Sequence, residues 1–352
     1  MKVTIIAWRD LAHPGWGGSE VVVDEIARGF VELGWQVSLL CAGPVGPRPY
    51  TVVENGGRYS QYLRAPFVWH RLRRADVVID VSNGIPFFSS LWQRRPTICV
   101  MHHVHDRQWN DVFPAPVAVI GRFIERRVVP RVYRRFWSIS PSTTQALRGL
   151  GIDPERIREV TSGIDVDVLR PEPGDKSVAP LFLVISRLVA HKGIDRVLRA
   201  WREVGAQTGG ELVVIGDGPL LGELQAMGTP ATTFLGFVSN EVKEDYLTRC
   251  WTLVHGAHHE GWGIVIMEAA GRGTPTLAFD ASGVRDAVVD SSTGLLARDH
   301  DRFVASWLQL AQDDELREEL GHKAWERASA MSWASAVQAV AGLVEDAADG
   351  SW

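Results

Sequence analysis

The chain has 352 residues, 45% hydrophobic and 22% charged, an ordinary globular composition with length for two domains. No apolar run nears the roughly 18 residues of a membrane span, which excludes a transmembrane helix, and Cys41, Cys99 and Cys250 lie far apart without C-x-x-C spacing, which suits a reducing compartment. The net charge of −5 hides an asymmetry: residues 1–150 carry 19 Lys and Arg against 11 Asp and Glu, a balance of +8, while residues 151–352 carry −13, so the halves are expected to meet different partners.

The opening MKVTIIAWRD runs straight into a strand and lacks the longer apolar core and cleavage site of a signal peptide. Gly17 and Gly18 follow that strand and precede a helix predicted over Ser19–Leu33, closed by Gly34. Lacking side chains, the pair lets backbone N–H groups approach an anion, though many βα turns use glycine only for geometry. QVSLLC, DVVIDV, TICVMH and RFWSIS read as further strands. They are continuous apolar runs, as for parallel strands covered on both faces, and the repeated βα pattern predicts a doubly wound sheet. His102, His103, His105 and Asp106 form HHVHD at a strand end. A metal site is disfavoured there because strand alternation points His102 and His103 to opposite faces.

The stretch RFIERRVVPRVYRRFW carries Arg122, Arg126, Arg127, Arg131, Arg134 and Arg135 between apolar residues, with Pro130 interrupting the helix; FVWHRLRR at Phe67 to Arg74 is similar. Three readings stand: a surface helix with its apolar stripe on its own sheet, contact with an anionic membrane, or attraction of an anionic acceptor. No nucleic-acid module or aromatic platform is present.

RPEPGDKSVAP concentrates proline, glycine and charge, so the predicted organisation is a first domain over 1–167, a linker over 168–179, a second domain over 180–331 and a C-terminal helix over 332–352. The second domain repeats the pattern with LFLVIS, ELVVIG, TFLGF, WTLVHG and PTLAF. Two such sheets would leave a cleft at the carboxyl ends of their strands. Arg187 and Lys192 fall in the loop after the first of these strands, where Arg grips phosphate through its planar fork and Lys acts as a point charge. Gly216, Asp217 and Gly218 end the next strand, as a nucleotide-lining turn or a simple one. In HHEGWGIVIMEAAGRGTP, Gly261 and Gly263 lead into a short helix predicted over Ile264–Ala270, whose N-terminus is a natural phosphate seat. Glu260 stands just before that seat and Glu268 about one turn in, placed to accept hydrogen bonds from sugar hydroxyls.

The Glu260-x7-Glu268 spacing resembles the signature of the retaining glycosyltransferases of family 4, which share the GT-B fold. GGSE, TICVMHH, WSISPSTTQALRGLGIDPERIREVTSGIDVDVLRP, FLVISRLVAHKGIDRVLRAW, VVIGDGP and DASGVRDAVVDSSTGLL resemble the family's other pieces in the same order, over nearly the whole chain. The resemblance implies an α/β fold of two doubly wound Rossmann-like domains facing across a cleft. It implies that Arg187 and Lys192 hold the donor diphosphate and that Glu268 holds the nucleotide ribose. Glu260, with the backbone of Trp262 and Gly263, would lie near the transferred sugar, and Ile264 would join the donor set. Gly17 and Gly18 would face the diphosphate from the other domain, and His102 would approach the donor sugar. Phe237 and Val238 would touch the base through backbone, and the C-terminal helix would cross back to the first domain. Two departures, Ser162 for asparagine and Asp286 for glutamate, are conservative.

The expectation is a cytoplasmic, metal-independent, retaining glycosyltransferase of the hexosyltransferase type, with no cofactor. Its partners would be a nucleotide-sugar donor and a hydroxyl acceptor that no motif identifies, and the inner membrane face is a candidate contact. Its rivals are a nucleotide-sugar epimerase, which works without an acceptor, and a non-catalytic sugar-nucleotide-binding subunit, which would lose site charges freely.

Overall fold

The computed structural model describes residues 1–72, 75–105, 108–164, 172 and 174–352. Its contacts divide the chain into two compact units, Met1–Gly163 with Trp333–Trp352, and Ile164–Ser332. The second unit thus begins at Ile164 rather than 180. Ile164 bridges to Ser332, Lys176 donates to Thr274 Oγ1 at 2.5 Å, and Trp251 Nε1 donates to the Ser177 carbonyl at 2.6 Å. The described end of the predicted linker is therefore held on the second unit. Residues 168–171 and 173 of that linker lie outside the described residues, as do Arg73, Arg74, Asp106 and Asp165.

In the first unit a parallel sheet joins β1 (Lys2–Arg9), β2 (Gln36–Ala42), β3 (Thr51–Glu54), β4 (Val77–Ser82), β5 (Thr97–Met101), β6 (Arg135–Ser138) and β7 (Ile157–Glu159) in the order β3-β2-β1-β4-β5-β6-β7. The register aligns Ile6 with Leu40 and Asp80, Asp80 with Cys99, and Cys99 with Phe136. Paired residues share a face, so these side chains form one face of the sheet. The helix Ser60–Val68 covers it through Ala65 and Val68, and the segment 124–133 covers it through Val129 and Tyr133. The other face, with Ile5, Ile79, Val100 and Trp137, lies under the helix Gly18–Glu32. The helix Trp333–Asp349 packs on that helix so closely that a Cβ on Gly29 would meet Val337 Cγ2 at 2.3 Å. The chain then anchors Trp352, whose carbonyl accepts from Arg135 Nε at 2.5 Å and whose ring lies under the Arg158 guanidinium at 5.6 Å.

Pro130 does not break the arginine-rich helix. Ala115–Phe123 runs into a wide π-turn at Ile124–Val128 and then Val129–Val132, with Pro130 in its first turn. A proline removes one N–H and crowds the carbonyl four residues back, and a widened turn just before it relieves both. The turn carries Glu125 into the interior, where it accepts from the His105 amide at 2.9 Å and from Trp109 Nε1 at 3.0 Å.

The second unit's parallel sheet joins β8 (Leu181–Ile185), β9 (Glu211–Ile215), β10 (Thr232–Gly236), β11 (Thr252–His255), β12 (Thr276–Phe279) and β13 (Gly294–Ala297) in the order β10-β9-β8-β11-β12-β13. Phe182 of β8 meets Trp201 and Trp307 edge-on at 5.5 and 5.4 Å, joining the sheet to the helices Ile194–Thr208 and His300–Gln312. Every strand ends on the same edge, and that edge carries the candidate site.

Candidate active site

Main-chain contacts bind the loops at this edge to one another. Gly216 has φ +131° and abuts Ser186, whose oxygen would lie 1.9 Å from an added Cβ. Leu188 N donates to the Asp217 carbonyl at 2.9 Å, His258 N to the His191 carbonyl at 2.9 Å, and Glu260 N to the Ser282 carbonyl at 3.0 Å. Gly193 and Gly256 touch so closely that a Cβ on Gly193 would stand 2.2 Å from the Gly256 oxygen. Glycine at these points lets the loops converge.

Glu260 is the electrostatic centre. Its Oε1 accepts from Lys192 Nζ, and His255 Nε2 stands 3.2 Å from the same oxygen, off the line of a regular hydrogen bond. Burial alone would push this carboxyl up; the Lys192 ammonium and the His255 ring outweigh that and hold it well below the usual carboxylate range. Burial, with Lys192 and Arg187 nearby, pushes His191 down to about 4. Arg187 is exposed on the same loop. The sequence brought Lys192 and Glu260 to this edge by separate arguments; the structure pairs them.

The helix Ile264–Gly271 starts at Gly263, whose φ of +84° only glycine adopts readily. Trp262 is buried and its Nε1 has no partner among the described residues. Glu268, one turn in, accepts from Lys243 Nζ at 2.8 Å. Lys243 lies on the helix Asn240–Arg249, which follows Phe237 and Val238; Phe237 is exposed. No sequence motif singled out Lys243. Asp217 is also exposed and receives the Gly218 amide at 2.6 Å.

In the first unit the glycine turn differs from expectation. The Gly17 amide donates to Glu20 Oε2 at 2.7 Å, and Arg9 Nε donates to Glu20 Oε1 at 3.2 Å. A carboxylate three residues into the helix satisfies that amide itself, so Gly17 does not offer it to an anion. The G-x-x-E spacing of GGSE carried the signal. His102 is buried among Ile5, Val22, Val23, Ile26, Ile79, Val81, Val100 and Trp137, and its Nε2 has no partner among the described residues. Burial and His105 push it down to about 4, so the ring is neutral. In the loop between β2 and β3, Arg48 reaches both Asp10 (3.1 Å) and Asp24 (3.2 Å), while Tyr50 donates to Asp24 at 2.6 Å. Among the described residues no three His, Cys, Asp or Glu side chains are grouped to hold a metal. His258 pairs with Arg196 at 2.9 Å, and His259 bridges to Ser282.

The profile described as Glycosyltransferase Family 4 matches residues 16–168, and that of Glycosyl transferases group 1 matches residues 165–327. The chain belongs to the family 4 glycosyltransferases. Among its family relatives, D-inositol 3-phosphate glycosyltransferase 1 of Catenulispora acidiphila is 27% identical over 97% of this chain and 94% of its own length. The GDP-mannose-dependent alpha-(1-6)-phosphatidylinositol monomannoside mannosyltransferase of Mycobacterium tuberculosis is 26% identical over 50% of this chain and 58% of its own. The GT-B fold is shared with the sucrose-phosphate synthase of Thermosynechococcus elongatus (TM-score 0.84, 18% identity, 98% of each chain). It is shared also with the Anabaena protein HepE in complex with UDP and glucose (TM-score 0.77, 18% identity, 98% of this chain and 100% of that one). In this glycosyltransferase Glu260 and Glu268, eight positions apart, each accept from a lysine, Lys192 and Lys243.

Proposed function

We propose that this glycosyltransferase moves a sugar from a nucleotide-sugar donor to a hydroxyl acceptor with retention of anomeric configuration and without a metal. The observation that carries the reading is Lys192 on Glu260 at the foot of the helix Ile264–Gly271. When the anomeric C–O bond breaks, negative charge gathers on the departing diphosphate. Preorganised cations and N–H groups at that point are usually the largest catalytic contribution. Arg187, Lys192 and the helix N-terminus supply them. A diphosphate outbids a single carboxylate for Lys192, which frees Glu260 for hydroxyls of the transferred sugar, beside Trp262, Gly263 and Ile264. Glu268 takes the ribose, and the loops at Gly216–Asp217 and Phe237–Val238 flank the nucleotide. The acceptor hydroxyl enters on the face the diphosphate leaves, and its proton passes to a leaving phosphate oxygen.

Relatives named for an inositol phosphate and a phosphatidylinositol mannoside, together with the +8 first half, support reading the acceptor as anionic and an anionic surface as a contact of the first unit. Among the described residues no helix is long and apolar enough to cross a membrane. The test is release of nucleoside diphosphate with and without acceptor in EDTA, with product configuration read by NMR coupling. Release should require acceptor, survive EDTA and keep the donor's configuration. Release without acceptor, dependence on added Mg²⁺ or Mn²⁺, or inversion would each overturn it.

A further inference from the structure

We infer that the second unit carries a separate site for a small phosphate monoester, in the bowl between the helices Ile194–Thr208 and His300–Gln312. The bowl is a cavity of about 490 Å³, within the usual size of small-molecule sites. Arg196, Arg199, Arg202 and Glu203 line it from one helix, His300 from the other, and Phe279 from the end of β12. None of these residues belongs to the donor set, so the inference rests on none of the donor-site assignments. The helix explains how the charge gathers. Its buried side holds Ile194, Val197, Leu198, Trp201 and Val204, and arginines spaced three apart come out together on the opposite side.

The acids present do not saturate these arginines. Arg199 Nη2 donates to Asp195 at 2.5 Å, and Glu203 Oε1 stands 2.6 Å from His300 Nε2. Both pairs are exposed to water, where an ion pair contributes little, so a dianion readily displaces a single carboxylate. Arg196 is held in place before any ligand arrives: its guanidinium lies 3.3 Å from the centre of the Phe279 ring, and its Nη1 donates to His258 Nδ1 at 2.9 Å. Burial pushes this guanidinium down, Asp195 opposes the push and Arg199 adds to it, so an anion between the two arginines would relieve their repulsion. Arg202 donates to the Met227 carbonyl at 2.8 Å. A guanidinium has five N–H donors, and each of these contacts spends one. The remaining donors form forks that match the oxygens of a phosphate. The volume leaves room for the organic body of the ester beside its phosphate.

The test is calorimetry of the full chain at about pH 8, where a phosphate monoester is a dianion, at low salt and with the donor site saturated by nucleoside diphosphate. The probes are hexose 6-phosphate and inorganic phosphate. Wild type should bind the hexose phosphate saturably, more tightly than inorganic phosphate, and less tightly as salt rises. Arg199→Ser/Arg202→Ser, changed at two exposed positions, should melt as wild type does and keep its nucleoside diphosphate affinity, yet lose roughly ten-fold or more in affinity for the hexose phosphate. Glu203→Gln removes the bowl's own carboxylate and should bind the hexose phosphate roughly two- to five-fold more tightly, a gain that damage to the fold would not produce. No saturable binding with the donor site filled, an undiminished Arg variant, a Glu203→Gln variant that binds no tighter, or inorganic phosphate binding as tightly as the ester would overturn the inference. Nucleoside diphosphate affinity reports on the donor site alone, so failure of one reading leaves the other visible.

Discussion

Gly283→Ala tests the placement of Glu260 without altering any side chain of the site. Gly283 has φ +80° and ψ −38°, a conformation that costs a side-chain-bearing residue about 1–3 kcal/mol. An added Cβ would stand 2.1 Å from the Glu260 carbonyl oxygen, 2.6 Å from its carbon and 3.1 Å from the Gly261 oxygen. All three are main-chain atoms, so no rotamer change relieves the clash. Reaching even a tight 3.0 Å contact displaces the Glu260 backbone by about 1 Å, and a misplacement of that size can cost about 100-fold in rate. The backbone strain should also lower the melting midpoint by a few degrees. Glu268 sits on the following helix, away from the clash, so nucleoside diphosphate affinity should stay within about three-fold, or 0.65 kcal/mol. Initial rates, calorimetry with nucleoside diphosphate and thermal melting read the three quantities. A variant that melts lower yet turns over at the wild-type rate would refute the reasoning, since the carboxylate's position would then be immaterial to transfer.

Glu268→Gln should weaken nucleoside diphosphate binding by roughly ten-fold, the loss of one charge-assisted hydrogen bond, whereas Glu260→Gln should leave it unchanged or tighter, because Lys192 then meets the diphosphate without a competing carboxylate, and should slow transfer. Equal weakening in calorimetry would sink this division of roles. Acid should destabilise the fold in two windows. The buried neutral His102, pushed down to about 4 against an ordinary 6.5, lets the unfolded chain take the proton first, so stability falls between pH 6.5 and 4 by up to about 3 kcal/mol. Glu260, held below its ordinary 4.5, contributes in full above pH 4.5 and loses that contribution as pH falls through its lowered value. Denaturant titrations at stepped pH should show the first slope flattened in His102→Gln; an unchanged slope would assign it elsewhere.

Buried parallel strands were legible because both their faces need apolar residues, and ten short runs located ten strands. The three that escaped, β3, β7 and β13, are sheet edges, where half-exposed stretches such as TVVE and IRE carry too little apolar pattern to stand out. The site's acids and cations were legible as motif and spacing. Their pairing was not, since Lys192 and Glu260 are 68 positions apart and Lys243 and Glu268 are 25. Gly17 was misjudged because its helix supplies its own carboxylate, a signal present in GGSE. The arginine segment was ambiguous because its helical periodicity passes through a π-turn, which shifts the buried face and sends Glu125 inward.

The chain leaves the first unit at Gly163 and returns to it only at Trp333. The first unit's covering of helix Gly18–Glu32 at Gly29 therefore depends on residues that come after the whole of the second unit. A chain ending near residue 332 would hold every strand of the second unit and a first unit whose helix Gly18–Glu32 has lost its apolar partner, the kind of surface that chaperones bind. Loss of residues 333–352 would accordingly damage the unit at the start of the chain rather than the unit that precedes the loss.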